Sequence, residues 1–167
     1  MKMKQKKVYL TVGIPGVGKT SFIRKQVEKN GGIHVSRDEV RFSMLKDGDE
    51  YFGIENQVFE AFVKKVQEAI DNEEGPADVY VDATHISWGS RKKILSRLNF
   101  SNVKETIMLF FDVSAETALA RNATRTGRSL VPESAMLSMA RNITKPIPSK
   151  YTRVWTINED GEVISIE

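Results

Sequence analysis

The chain contains no cysteine. That excludes a disulfide frame, a thiolate metal site and a cysteine nucleophile. It also lacks any apolar run near the ~20 residues of a membrane span. The N-terminus, Met1 to Lys7, is basic and leads straight into a strand-like run with no apolar leader core. A cytoplasmic location is the expectation. Repeats, low-complexity tracts and linkers are absent as well. What remains is ordinary globular composition, 40% hydrophobic and 28% charged in 167 residues. That is enough chain for one domain with a full core.

The most informative stretch is Gly13-Ile14-Pro15-Gly16-Val17-Gly18-Lys19-Thr20. It fills every fixed position of the phosphate-binding loop, G-x-x-x-x-G-K-[ST]. Glycines let backbone N–H groups turn inward on a polyphosphate, Lys19 supplies a point charge, and Thr20 offers a hydroxyl to Mg²⁺. The flanks agree. Val8 to Val12 is a short β-branched run, and Ser21 to Asn30 carries Phe22, Ile23 and Val27 at helical spacing. Strand, loop and helix in that order aim the helix dipole at the phosphates.

Strand and helix patterns then alternate. Strands are expected at Gly32 to Val35, Val79 to Val81, Thr106 to Val113, Thr152 to Ile157 and Val163 to Ile166. Helices are expected at Asp38 to Leu45, Ile54 to Asn72, Arg91 to Leu98 and Ser114 to about Arg125, with another opened by Pro132 in its first turn. The stripe Ile54, Val58, Phe59, Phe62, Val63, Val66, Ala69, Ile70 makes the second of these the clearest. The fold class is α/β, a layered domain with a central, mostly parallel sheet flanked by helices. Ligands of such sheets bind at the carboxyl ends of the strands. Attention therefore falls on Ser36-Arg37-Asp38, Asp82-Ala83-Thr84-His85 and Asp112.

Asp38 and Arg41 lie three apart. If Asp38 starts a helix, both face one side near its N-terminus, a carboxylate that can take a proton beside a guanidinium that can grip a phosphate. A helix cap with a solvated partner fits the same spacing. Asp82 ends an apolar strand, where phosphate-loop proteins carry a second acid. Motor ATPases follow that acid with a water-activating glutamate. Here Ala83 follows, so a motor or a nucleotide-gated binding protein lacks its general base. Arg121, Arg125 and Arg128 lead into a glycine-containing loop. An arginine there can neutralise a transferring phosphoryl group, or can simply decorate a surface helix. His34 reads as a packing residue. His85 is nearer the site. Trp88 suits stacking on a base, but packing in the core or on the surface is the expectation.

Charge is distributed unevenly within a net of +3. Residues 47–78 carry ten acids against Lys64 and Lys65. Residues 86–104 carry Arg91, Lys92, Lys93, Arg97 and Lys104 with no acid, and residues 121–153 carry seven cations against Glu133. The layout suits a polyanion on the basic side, or a set of solvated helix faces.

These motifs together resemble the 5′-hydroxyl polynucleotide kinases, the kinase module of phage and bacterial nucleic-acid end-repair enzymes in the P-loop kinase superfamily. The resemblance covers nearly the whole chain. It rests on Gly13 to Thr20, Ser36-Arg37-Asp38-Glu39-Val40-Arg41, Asp82-Ala83-Thr84, and Arg121-Asn122-Ala123-Thr124-Arg125 with Val131-Pro132. It implies a single P-loop kinase domain over 1–167 with an arginine-bearing lid at about 121–132. It implies ATP or another nucleoside triphosphate as donor, with Mg²⁺ at Thr20, and nucleic-acid 5′-hydroxyl ends as acceptor. The donor would lie on Gly13, Pro15, Gly16, Val17, Gly18, Lys19, Thr20 and Ser21, with Arg121 and Arg125. Asp38 would be the general base, Lys19 and Arg125 would act on the phosphoryl group, and Arg41, Asp82 and Thr84 would bind the acceptor. Members often carry Asn shortly after the second aspartate, where this chain has Thr84-His85. A small-molecule or nucleotide kinase of the same fold, zeta-toxin-like or nucleoside-monophosphate-kinase-like, is the alternative.

Overall fold

The computed structural model describes residues 5–167, so Met1 to Lys4 of the basic N-terminal run lie outside the described residues. Six strands form one sheet: β1 (Lys6–Val12), β2 (Ile33–Ser36), β3 (Asp78–Asp82), β4 (Val103–Phe111), β5 (Thr152–Ile157) and β6 (Val163–Ile166). Their order is β2-β3-β1-β4-β5-β6. The first five run parallel, and β6 turns back antiparallel to β5. Six helices accompany them: α1 (Lys19–Asn30), α2 (Arg37–Met44), α3 (Glu55–Asp71), α4 (Trp88–Leu95), α5 (Ala115–Ala123) and α6 (Glu133–Asn142). This is the expected P-loop kinase architecture.

Alternation along the strands sorts the core into two layers. Val8, Leu10 and Val12 of β1, Val79 and Val81 of β3, and Met108 of β4 face one side, packed with Val40 of α2, the α3 stripe and Ile94 of α4. Tyr9, Tyr80, Ile107, Leu109 and Phe111 face the other, packed with Phe22 and Ile23 of α1, Ala118 of α5 and Met136 of α6. Both faces of the central strands are covered, which is why they read as nearly continuous apolar runs. The α3 stripe buries Val58, Phe62, Val66 and Ile70 completely. Each such side chain stabilises the fold by roughly 1.5–3 kcal/mol. Among the described residues no helix is long and apolar enough to cross a membrane.

Three boundaries differ from expectation. Ser36, not Asp38, caps α2: its hydroxyl accepts from the Glu39 N–H, which leaves Asp38 inside the first turn. Helix α4 starts a turn early, because Ser87 and Ser90 exchange side-chain and backbone bonds in a capping box. Pro132 occupies the cap position of α6, one residue before its first turn.

Strand order reverses at β1, whose neighbours are β3 and β4. The crevice at the carboxyl end of β1 is therefore the topological site for a ligand. The loop Gly13 to Gly18 emerges there.

Candidate functional site

The loop after β1 closes tightly over its own helix. Gly16 and Gly18 have φ of 90° and 98°, a region that side chains rarely adopt. A Cβ on Gly16 would also stand 2.5 Å from the Ala118 carbonyl oxygen of α5. The Gly13 N–H donates to the Thr84 carbonyl at 2.9 Å, tying the loop to the end of β3. Val17 is buried beneath the loop as part of the core. Pro15, Gly16, Gly18, Lys19, Thr20 and Ser21 line the cleft above it, which encloses about 270 Å³.

The Lys19 ammonium donates to the Gly13 and Ile14 carbonyls at 2.9 and 3.0 Å. Burial pushes its pKa down to about 8, against the opposing pull of Asp82 and Asp38. The Thr20 hydroxyl donates to Asp82 Oδ2 at 3.0 Å. The same oxygen lies 2.8 Å from His34 Nε2. Burial opposes ionisation of Asp82, but the His34 hydrogen bond, the Lys19 charge and the Thr20 hydroxyl outweigh it and hold the carboxyl below its ordinary value. A carboxylate only accepts, so Nε2 of His34 carries the proton. His34 is thus a partner of the site acid rather than the packing residue expected. Among the described residues no group of three acidic, histidine or cysteine side chains is arranged to hold a metal by itself. A buried carboxylate beside a threonine hydroxyl does suit a hard cation that takes further ligands from phosphates and water.

Across the cleft stands a second charged group. Asp38 is half exposed on the first turn of α2. Its Oδ1 accepts from the Arg41 guanidinium and, at 3.2 Å, from the Tyr51 hydroxyl. Its Oδ2 has no donor among the described residues. Arg41 itself is buried and forks onto Glu55, Nε to Oε1 at 2.8 Å and Nη2 to Oε2 at 3.1 Å. Arg37 reaches the same carboxylate at 2.9 Å. Burial disfavours the Glu55 charge, yet its bonds to Arg41 and the two guanidinium charges hold the carboxyl below its ordinary value. Burial and the nearby Asp38 push the Tyr51 hydroxyl up to about 12, so it remains a donor.

Arg121, Arg125 and Arg128 make different contacts. Arg125 lines the cleft and its guanidinium has no partner among the described residues. Arg121 instead donates to the Gly16 carbonyl at 3.2 Å and the Glu159 carbonyl at 3.3 Å, and borders a neighbouring cavity of about 340 Å³. Arg128 ties the turn Gly127–Ser129 to the loop before α3, donating to the Leu45 carbonyl at 3.1 Å and to Asp47 at 3.2 Å. Thr84 lines the cleft next to Asp82 and Ala83.

Other expectations are corrected. The 86–104 run is largely consumed by the protein itself. Arg91 is buried and holds the His85, Ile86 and Thr144 carbonyls, Arg97 pairs with Glu60 at 2.6 Å, and Lys93 sits over the Phe59 ring. Trp88 is 69% exposed and so is no core residue. His85 is buried, donates from Nδ1 to the Thr11 carbonyl at 2.7 Å, and leaves Nε2 without a partner among the described residues. Tyr51, Glu55 and His34 are the site residues that sequence reasoning missed.

A family model described as an AAA domain matches residues 8–146. No curated protein matches the chain. Among solved structures, the chain is similar to a chain of the Pnkp1/Rnl/Hen1 RNA repair complex, with 22% identity and a TM-score of 0.68 over 84% of this chain and 45% of that one. It spans less than half of that relative's length. It is also similar to Chaetomium thermophilum Kti12 in complex with ADP-AlF3 (17% identity, TM-score 0.64, 93% of this chain and 90% of that one). A sugar kinase from Janibacter sp. is similar at 16% identity and a TM-score of 0.60, over 91% and 85% of the two chains. Likeness at these identities shows a shared fold.

Proposed function

The chain belongs to the AAA domain family and has the P-loop kinase fold, and from that premise we propose a magnesium-dependent kinase that moves the γ-phosphate of ATP to the 5′-hydroxyl of a nucleic acid. The observation that carries this reading is the Asp38–Arg41 pair facing Lys19 across one cleft. A phosphate cradle alone serves many activities. A cradle opposite a carboxylate with a free oxygen, next to a guanidinium, serves transfer to a hydroxyl that has a phosphate nearby.

In this reading the donor lies on the loop and on Ser21, with Lys19 on its β- and γ-phosphates. Thr20, with Asp82 beside it, would hold a Mg²⁺ ion, which would supply charge neutralisation at those phosphates. The 5′-hydroxyl oxygen attacks the γ-phosphorus in line, and the bond from phosphorus to the bridging oxygen of the leaving diphosphate breaks. Asp38 Oδ2 takes the hydroxyl proton, while Oδ1 is held by Arg41 and Tyr51. Arg125, without a partner among the described residues, neutralises charge on the transferring group. Arg41 grips the phosphate on the 3′ side of the terminal nucleotide, and Thr84 borders the acceptor.

A small-molecule kinase is the second reading. The closed ion-pair set of Arg41 with Glu55 and Asp38 favours it, since Arg41 is neutralised without any acceptor phosphate. Transfer of label from γ-labelled ATP to a 5′-hydroxyl oligonucleotide, in competition with nucleosides and sugars, separates the two.

A further inference from the structure

One wall of the cleft is aromatic, and the transfer chemistry above leaves its Phe52 without a role. Tyr51 and Phe52 meet edge to face, with ring centroids 4.5 Å apart, and Phe42 braces Tyr51 from behind at 6.0 Å. Tyr51 is itself tethered through its hydroxyl to Asp38. Phe52 therefore backs onto a fixed ring. It is 44% exposed, it lines the same cleft as Asp38 and the phosphate loop, and the Arg41 guanidinium lies 5.4 Å from its centroid.

A single exposed phenylalanine on an open surface needs no explanation. One braced inside a cleft, beside a guanidinium and a candidate base, is different. The juxtaposition repeats the chemistry of a nucleic-acid strand, a flat apolar face next to a charge that grips phosphate. Single-stranded nucleic acids are held by that alternation, and stacking tolerates any base because every base has a π-face. We propose that Phe52 is a stacking platform for an acceptor nucleobase, one of the two flanking the phosphate that Arg41 holds. The inference rests on the reading of the acceptor as a nucleic-acid 5′ end, and it adds that a nucleobase is read as well as sugar and phosphate.

The test uses three 5′-hydroxyl oligonucleotides at saturating ATP: one intact, one abasic at the terminal nucleotide, one abasic at the second. Each is given to the wild type, Phe52→Ala and Phe52→Trp, and kcat and KM for the acceptor are measured. Phe52→Ala should raise the KM of the intact strand roughly 5- to 100-fold, the range seen when a stacking aromatic is truncated. Phe52→Trp should restore it. One abasic strand should bind the wild type about as weakly as the intact strand binds Phe52→Ala, and should lose nothing further in that variant. Equal KM increases for all three strands would overturn the proposal and make the ring a mere brace for Asp38 and Arg41. An unchanged KM in Phe52→Ala would overturn it as well. If the wild type labelled small acceptors and none of the oligonucleotides, the reading of the acceptor would fall first, and the platform with it.

Discussion

Lys19 should take up a proton when a nucleotide binds. With the cleft open its ammonium is buried against two loop carbonyls, and burial lowers its pKa to about 8. A polyphosphate placed in the cradle restores a strong anionic partner, so the bound lysine is charged throughout the accessible range. The uptake equals the uncharged fraction of the free protein. With a pKa of about 8, that is about 0.1 proton at pH 7, about 0.5 at pH 8 and about 0.9 at pH 9. Affinity should fall accordingly, approaching tenfold per pH unit above pH 8. Calorimetric titration with ATP in buffers of different ionisation enthalpy reads the uptake directly as a slope. ATP has shed its own phosphate protons at pH 8 and above, so the slope there belongs to the protein. Lys19→Arg keeps the positive charge but cannot deprotonate, and should bring the slope to zero. A wild-type slope near zero at both pH 8 and pH 9 would refute the reasoning, as would an undiminished slope in Lys19→Arg.

Asp38→Asn should slow transfer by roughly 10²–10⁴-fold, the usual contribution of a general base, with ATP affinity retained. Arg125→Ala should slow transfer and weaken ATP binding together, so a nucleotide-binding assay distinguishes two variants that look alike by turnover; the reverse pattern would exchange their roles. His85 gives a stability test. Burial lowers its pKa to about 4, so the unfolded chain binds the extra proton first and stability falls as pH drops from the ordinary 6.5 toward 4. Between pH 7 and pH 5 this group accounts for about 2 kcal/mol of that loss. His85 sits at φ 43°, which asparagine tolerates, so His85→Asn should fold and show a correspondingly shallower decline in chemical denaturation. An identical pH profile in the variant would rule out this assignment.

The legible parts of the molecule were those with a local signature. The phosphate loop is contiguous, and each of its residue types answers to a single stereochemical need. The α3 stripe is periodic, and the apolar runs of β1 and β4 mark central strands covered on both faces. The chemistry around Asp38 was half legible, because Asp38 and Arg41 share a helix turn. Glu55 was not. It lies 14 residues from Arg41 at the start of another helix, and only the packing of α2 on α3 joins them. His34 reads as packing because its contact with Asp82 depends on β2 lying beside β3, and no local pattern announces that pairing. The basic run at 86–104 misled for the opposite reason. Its spacing records cations but not the carbonyls, Glu60 and Phe59 that engage them.

The central claim is that the acceptor is a nucleic-acid 5′ end. Its most direct measurement is label transfer from γ-labelled ATP with Mg²⁺ to a 5′-hydroxyl oligonucleotide, a nucleoside 3′-monophosphate, a free nucleoside and a panel of sugars, for the wild type and Arg41→Ala. Efficient labelling of the oligonucleotide and of the 3′-monophosphate is expected, with poor labelling of the nucleoside and loss of that distinction in Arg41→Ala. Labelling of sugars or free nucleosides in preference to the oligonucleotide would contradict it.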